Sequence, residues 1–375
     1  MKTIVVLGST GSIGRSTLDV IRRRPREFKV AGLSACTNAR LLEQQADEFG
    51  VDITALRSPA GSVPGQGRVI TGETAAADIV AMTRPDIVVN GISGAAGFLP
   101  SLQAVRQGSV LALANKESLV IGGAFLTQEA RRHRATLIPV DSEHSAVFQC
   151  LAGERPEEVS RIFLTASGGP FRTRPKETFP DITPEEALSH PTWSMGKRIT
   201  IDSATMMNKG LEIIEAYWLF GVDLSRIQVV VHPQSIVHSM VEFRDMSIKA
   251  QLGVPDMRSA IAYALSWPSR MELDLKPLDP AAMKKLEFFP PDEEKFPALE
   301  LARASMEQPR TLPCVMNAAD ETAVDGFLKR RIRFDGIIDI VRKTMDKLAG
   351  SRVSSPEDLI ELDRESRKIA GNMIS

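Results

Sequence analysis

The stretch "TIVVLGSTGSIGRSTLDVIRRRP" (residues 3–25) decides the fold. "TIVVLG" (3–8) reads as a buried-type strand, and "RSTLDVIRRRP" (15–25) as an amphipathic helix stopped by Pro25. Between them, "GSTGSIG" places Gly8, Gly11 and Gly14 in a strand-to-helix turn. Glycines there let the backbone approach a pyrophosphate, and the N-terminus of the following helix favours its negative charge. A lone glycine motif is weak evidence, but this one lies in a βαβ context at the start of an α/β region.

Working outward, the same alternation continues. "KVAGLSA" (29–35), "PDIVVNG" (85–91) and "SVLALA" (109–114) read as strands, while "ARLLEQQADEFG" (39–50) and "LPSLQAVRQG" (99–108) read as helices. Alternating β and α at this spacing predicts a doubly wound parallel sheet of Rossmann type. The middle mixes strands in "RIFLTASGG" and "QVVVHPQSIVHSMVEF" with helices in "GLEIIEAYWLFG" and "DMRSAIAYALSW". The period-2 pattern from Gln228 to Phe243 suggests a half-buried sheet and an α+β domain. A Pro-rich stretch at 267–297 reads as an ordered linker, and everything after it as helix. In "SSPEDLIELDRESRKIAGNMI", Ser355 suits an N-cap and Pro356 the first helical position. The expected divisions are therefore 1–141, 142–266, 267–297 and a C-terminal α-helical bundle, 298–375.

With 375 residues, 43% of them hydrophobic, the chain can bury sizeable cores. Forty-six basic against 47 acidic residues leave a formal charge of -1, which argues against nucleic acid or an anionic membrane as partner. Cys36, Cys150 and Cys314 are widely spaced, which argues against a disulfide framework or thiolate zinc and suits a reducing cytoplasm. No secretory or transit-type N-terminus is expected, and no run of about 18 apolar residues occurs.

About 20 residues beyond the glycine loop, the acid that would select NAD is missing. "LSACTNAR" (33–40) offers Thr37, Asn38 and Arg40 instead, so NADP(H) is the better inference. The Tyr-x-x-x-Lys pair of short-chain dehydrogenases is excluded, because Gly221 and Trp267 follow Tyr217 and Tyr263 at that spacing. A different group must polarise the hydride acceptor.

"DSEH" (141–144) supplies that group's first ligands. Read as the end of an extended segment, it would turn Asp141 and Glu143 to one side and His144 to the other. Two like charges so close call for a cation, and hard oxygen donors without clustered His or Cys suit Mg²⁺ or Mn²⁺. A third carboxylate is expected in "SATMMNKGLEIIEA" (203–216), where Glu212 and Glu215 are both open. Anion-holding features surround this set. "TASGGPF" (165–171) offers backbone N–H groups and Ser167, and "DSATMMNKG" offers Ser203, Asn208 and Lys209. They suggest a phosphorylated small substrate. The loop "SHPTWSMGKR" (189–198), with Trp193 and Met195, has the composition of a lid.

Taken together, these motifs closely resemble the 1-deoxy-D-xylulose 5-phosphate reductoisomerase family. The matching stretches are "GSTGSIG", "NGISGAAGF", "ANKESLV", "DSEHSAVFQ", "TASGGPF", "HPTWSMGKRITIDSATMMNKGLEIIEA", "VHPQSIVHSMV", "GVPDMR" and "MNAADETAVDGFL". The resemblance implies an NADPH-binding domain, a catalytic domain that also carries a homodimer interface, and a C-terminal helical domain. It implies an NADP-dependent oxidoreductase of the non-mevalonate isoprenoid pathway. The reaction would convert 1-deoxy-D-xylulose 5-phosphate to 2-C-methyl-D-erythritol 4-phosphate, in the family by retro-aldol cleavage and re-addition before reduction.

The resemblance places the third metal ligand on Glu212, beside Asp141 and Glu143, for Mg, Mn or Co. It implies catalytic roles for Lys116 and Glu143. Substrate contacts would fall on Lys116, Ser142, Glu143, Ser167, His190, Trp193, Met195, Ser203, Asn208, Lys209, Glu212 and His232. NADPH would be held by Gly8, Ser9, Thr10, Gly11, Ser12, Ile13 and Gly14, with Thr37, Asn38, Arg40, Asn115, Glu117 and Gly196.

The chain departs from the family pattern at three places. Cys36-Thr37 stand where a basic residue is frequent, which leaves Arg40 as the charge for a 2′-phosphate. The lid has Thr192 where Asn is usual, and the helical tail reads "NAADE" where "NAANE" is common. The competing enzyme reading is an NADP-dependent dehydrogenase of another phosphorylated sugar or semialdehyde, without rearrangement. An NADP-sensing binding module is the non-enzyme reading, and it would have no use for the acidic cluster.

Overall fold

In the computed structural model, which describes residues 1–58, 67–193, 195–307 and 310–374, the opening run forms β1 (Lys2–Leu7) and α1 (Ser12–Arg22). Next come β2 (Phe28–Ala35), α2 (Ala39–Phe49), β3 (Ile53–Leu56), β4 (Arg68–Thr71) and α3 (Ala75–Thr83). Then follow β5 (Ile87–Asn90), α4 (Phe98–Arg106), β6 (Val110–Leu113), α5 (Glu117–His133), β7 (Leu137–Pro139) and α6 (Ser142–Cys150). The seven strands pair in parallel in the order β4-β3-β2-β1-β5-β6-β7. This is the doubly wound sheet that the alternation predicts. Its central strands are buried on both faces, as crossover helices require, with Ile4, Val5, Val6 and Leu7 wholly out of water.

The second half begins with β8 (Val159–Ala166), α7 (Pro184–Ala187), α8 (Lys197–Ala204) and α9 (Met207–Phe220), followed by β9 (Ile227–Val231), β10 (Val237–Phe243) and β11 (Ile248–Leu252). Helices α10 (Met257–Ser266), α11 (Ala298–Ser305), α12 (Leu312–Leu328), α13 (Gly336–Lys347) and α14 (Pro356–Gly371) complete the chain. The second sheet has the order β11-β10-β8-β9, with β8 and β9 parallel and the other pairings antiparallel. The expected single period-2 run from Gln228 to Phe243 is broken by a turn through His232–Ile236, where Ser235 takes φ +51°. Alternating burial holds in β9, whereas β10 is buried at six of its seven positions.

Two compact units result. One comprises Met1–Ser118, Ala124–Ser145 and Asp256–Lys276; the other comprises Leu119–Gly123, Ala146–Pro255 and Pro277–Ser375. In the first, α10 packs on α1. In the second, α12 packs on α8, α11, α13 and α14, and α11 packs on α9. Phe171, Phe179, Phe327 and Phe334 form a cluster with tilted and edge-to-face ring pairs 5.3–6.2 Å apart. Each such pair contributes about 0.5–1.5 kcal/mol beyond its buried area. Ser355 caps α14 through a capping box with Asp358, and Pro356 occupies the first turn. Among the described residues, no helix is long and apolar enough to cross a membrane.

At the start of α1 the backbone folds so tightly that a Cβ on Gly14 would lie 2.4 Å from the Gly8 carbonyl oxygen and from the Ser9 Cα. Both obstacles are backbone, so no side-chain rotation relieves them. Gly14→Val is expected to cost at least about 1–3 kcal/mol. A thermal unfolding midpoint equal to that of the native chain would refute this account of the turn.

Candidate functional site

In an open parallel sheet the loops at the carboxyl ends of the strands gather on one edge. Here β1 runs into the glycine turn, β5 ends at Asn90, β6 leads into Asn115 and Lys116, and β7 leads into Asp141. Of the cofactor residues expected between Gly8 and Gly14, Gly8 to Gly11 lie on the first of these loops and Ser12, Ile13 and Gly14 form the first turn of α1. Gly11 occupies the N-cap of α1 without a side-chain cap, which leaves the helix N-terminus suited to an anion. Ser9 is fully buried, and its hydroxyl donates to Gln45 Oε1 at 2.7 Å while Gln45 Nε2 donates to the Ser9 carbonyl at 3.0 Å. Ser9 therefore fastens the loop to α2. Thr37, Asn38 and Arg40 are exposed at the end of β2, and the Asn38 side chain caps α2 by accepting from the Leu41 N–H.

Asn115 and Glu117 hold the neighbouring loop. Asn115 Nδ2 donates to the Ile92 and Gly94 carbonyls at 2.7 and 3.0 Å, and Glu117 accepts from the Gly94 N–H at 3.0 Å. Between them, Lys116 is almost fully buried, with its Nζ 2.5 Å from Asp141 Oδ2. Burial pushes the Asp141 carboxyl upward. The Lys116 ammonium and His144 outweigh it and hold Asp141 well below the usual carboxylate range.

The acidic segment is not extended. Asp141 precedes α6 and its carbonyl accepts the Ser145 N–H at 2.8 Å, so Ser142, Glu143 and His144 already lie in the helix. The alternation argument for "DSEH" is therefore wrong about the cause. A helical start brings side-chain atoms of Asp141 within 4.8 Å of both Glu143 and His144. His144, expected on the opposite side, is buried on the same one. Both acids sit at a helix N-terminus, which favours negative charge. Ser142 Oγ donates to Glu143 Oε2 at 2.5 Å.

The second unit assembles the other candidates. After β8, Gly168 and Gly169 take φ +83° and +66°, a turn only glycine enters without strain. Ser167 Oγ accepts the Gly169 N–H at 3.2 Å and lies 3.0 Å from His190 Nε2. His190 Nδ1 accepts the backbone N–H groups of Thr192 and Trp193 at 3.1 and 2.9 Å. Its proton must then be on Nε2, pointing at Ser167. Burial lowers the His190 pKa, which keeps this neutral tautomer. With both lone pairs of Ser167 Oγ used, its O–H is left to donate.

Trp193 is half-buried, its ring 6.4 Å from that of His238 on β10. Met195 is half-buried, Gly196 is the N-cap of α8, and Ser194 lies outside the described residues. Ser203 lies in the last turn of α8, and Asn208, Lys209 and Glu212 occupy the first turns of α9. Asn208 Nδ2 donates to Glu212 Oε1 at 2.6 Å, and the Lys209 ammonium pairs with Glu212 Oε2. Glu212 is 1% exposed, and Glu215, one turn later, is fully buried. His232, expected to touch substrate, is committed elsewhere. Its Nδ1–H donates to the Glu287 carbonyl at 2.8 Å and its Nε2 accepts the Ile236 N–H at 3.2 Å, so it fixes the β9–β10 turn.

Sequence reasoning missed His238 and the Arg198–Asp202–Asp320 group. His238 lies in a quoted motif, but an apolar-looking strand hides a ring that receives Trp193. The donor sets suit the groups that the motifs imply. The carboxylates of Asp141, Glu143 and Glu212 are hard oxygen ligands appropriate to Mg²⁺ or Mn²⁺, and the cradle at Gly14 admits backbone approach where any Cβ would intrude.

Comparison with known proteins bears on these features. A family model for 1-deoxy-D-xylulose 5-phosphate reductoisomerase matches residues 4–123, and two models for its C-terminal domain match 137–220 and 252–369. The chain is 47% identical to the reductoisomerase of Chlorobaculum tepidum over the full length of both. It is 48% identical to that of Prosthecochloris aestuarii over 99% of each. Among solved structures, the Zymomonas mobilis reductoisomerase in complex with NADPH is 43% identical with TM-score 0.91, covering 100% of this chain and 99% of that one. A DOX-P reductoisomerase in complex with NADPH, fosmidomycin and magnesium is 36% identical with TM-score 0.93, covering 100% and 98%. The chain belongs to the 1-deoxy-D-xylulose 5-phosphate reductoisomerase family.

Proposed function

We propose that this chain carries out the NADPH- and divalent-metal-dependent isomerisation and reduction of 1-deoxy-D-xylulose 5-phosphate to 2-C-methyl-D-erythritol 4-phosphate, a step of isoprenoid biosynthesis. The observation that carries the reading is the first turn of α9, where Asn208 and Lys209 both engage the buried Glu212. One turn thereby couples two anion-holding side chains to a carboxylate fit for a cation.

In this reading Asp141, Glu143 and Glu212 hold one divalent cation. When bound, the cation supplies Lewis acidity and a chelating template, and NADPH supplies the hydride. Lys116, kept in place by Asp141, donates to a substrate hydroxyl, and Ser142 orients the same part of the molecule. Ser167, Ser203, Asn208 and Lys209 hold the phosphate, with the Ser167 hydroxyl aimed by His190 and Gly169. Trp193 and Met195 cover the substrate and exclude water. Arg40 meets the 2′-phosphate, while Asn115 and Glu117 shape the cofactor loop and Gly196 borders it.

The functional division runs as an NADPH-binding part (1–141), a catalytic part (142–266), a connecting stretch (267–297) and a helical part (298–375). The chain works as a homodimer through β11, an edge strand that exposes Ile248 and Leu252 next to Met246 in the preceding turn. It works in the cytoplasm, in keeping with three unpaired cysteines.

Three outcomes test this. Purified protein given the substrate, NADPH and Mn²⁺ is expected to consume NADPH and yield a branched product. An unbranched product would favour the simpler dehydrogenase. Asp141→Asn and Glu212→Gln are each expected to lower kcat at least about 100-fold while NADPH titrated by fluorescence still binds. Native-like turnover in either variant would reject the ligand assignment.

The second outcome concerns pH. The folded chain disfavours the His190 imidazolium, so the loop contribution is full above the ordinary value of 6.5 and is lost as pH falls through the lowered one. Substrate KM should therefore rise on acidification more steeply in the native enzyme than in His190→Asn. Parallel profiles would contradict the assigned tautomer. Thirdly, Ile248→Lys should convert the sedimenting species to monomer, and an unchanged sedimentation coefficient would exclude β11 as the interface.

A further inference from the structure

The departure "NAADE" places an acid, Asp320, inside the second unit, where it is completely buried on α12. Neither Asp320 oxygen accepts a hydrogen bond from an N–H or O–H donor of the described residues. Its neighbour across the helix pair is a second buried acid, Asp202 of α8, 3% exposed and within hydrogen-bonding reach. The Arg198 guanidinium reaches both. Arg198 Nε lies 3.4 Å from Asp202 Oδ2, and Arg198 Nη2 lies 3.6 Å from Asp320 Oδ2.

The same Arg198 is also engaged elsewhere. It bonds Glu321 Oε1 and Asn317 Oδ1, each at 2.9 Å. Arg367 of α14 bonds Glu321 at 2.8 Å and Asp363 at 2.7 Å. Among these contacts two guanidiniums face four carboxylates, of which Asp202 and Asp320 are buried. From α11 and α13, the side chains buried in this unit are apolar or hydroxyl, including Leu299, Ala302, Ser305, Ile337, Val341 and Thr344. Two adjacent carboxylates can hydrogen-bond to each other only if one carries a proton, and an ionised carboxylate without donors would be costly there.

We propose that Asp202 and Asp320 form an acid–carboxylate pair sharing one proton, and that this pair positions α8, and with it Ser203, against the C-terminal helices. Asp202 immediately precedes Ser203, and α8 begins at the end of the lid loop. Asp320 is a positioning residue that acts through Asp202. Burial, with a smaller push from the Glu321 carboxylate, raises the Asp320 carboxyl to about 6, against the pull of Arg198 and of the hydrogen bond with Asp202. The pair is therefore intact in mild acid. It loses its proton as pH rises through that value, and mutual repulsion then loosens α8. An asparagine at 320 would donate to Asp202 at every pH and remove this dependence.

The test compares native protein with Asp320→Asn and Asp202→Asn, full-length and supplied with NADPH and Mn²⁺, over roughly pH 5.5 to 8. Infrared spectra of the protein without substrate are expected to show a protonated-carboxyl C=O band that fades as pH rises. The band should be missing from both variants. A native spectrum without it, or a band that survives in either variant, overturns the pair.

In kinetics, KM for 1-deoxy-D-xylulose 5-phosphate should rise with pH more in the native enzyme than in Asp320→Asn. The expected divergence is on the order of three- to tenfold, with kcat less affected. Titration of the substrate phosphate is common to both proteins and cancels in the comparison. The kinetic arm rests on the phosphate role of Ser203; a band with no KM divergence overturns the positioning role. Failure of the native enzyme to oxidise NADPH with this substrate would instead reject the proposed reaction and leave the infrared result to decide the pair.

Discussion

A carboxylate removed from water must be met by positive charge, and the Lys116–Asp141 contact is where the first unit satisfies that constraint. Both partners are nearly inaccessible, and they come from the ends of neighbouring parallel strands, β6 and β7. The pair keeps Asp141 ionised despite its burial and fixes the lysine beside it. Around it, Asn115 and Glu117 tie down the loop after β5 through hydrogen bonds to its backbone. The glycine turn at the end of β1 belongs to the same edge. The sheet order thereby brings a nucleotide cradle and an acidic helix start to one side of the sheet, far apart though they are in sequence.

The second unit meets the same constraint within one helix. Glu212 is compensated by Lys209 and Asn208, residues one turn away, so the helix carries its own counter-charge. Elsewhere in this unit, hydrogen-bond direction sets chemical roles. Two backbone N–H groups fix the His190 tautomer, the tautomer uses a lone pair of Ser167, and the hydroxyl is left to donate. Asp202 and Asp320 share the Arg198 guanidinium, and in the proposed pair a proton shared between them completes the balance.

Local pattern carried much of the architecture and some of the chemistry. Strong apolar runs, Gly50 closing α2, and the Ser355 cap of α14 were legible because their causes lie within a few residues. The four-residue strands β3 and β4 were not, since so short a segment shows too few periods to declare itself. "DSEH" was misjudged as extended because an acid pair at spacing two fits a strand by alternation and a helix start by electrostatics. Only the backbone bond from Ser145 to Asp141 separates them. His232 looked like a substrate contact by motif, yet the turn after β9 consumes both its ring nitrogens.

What the amino-acid order settled without help was therefore local. It specified the strand–glycine–helix opening, the absence of an NAD-selecting acid, the supply of hard oxygen ligands, and the anion-holding turns. Each depends on side-chain chemistry or on short-range sterics. Which buried acids meet a lysine, an arginine or one another was settled by packing. Lys116 and Asp141 lie 25 residues apart, Arg198 and Glu321 lie 123 apart, and no periodicity connects either pair. Their charge states follow from that packing, because burial and the identity of the facing charge set a carboxyl's proton affinity, and both exist only once the chain has folded.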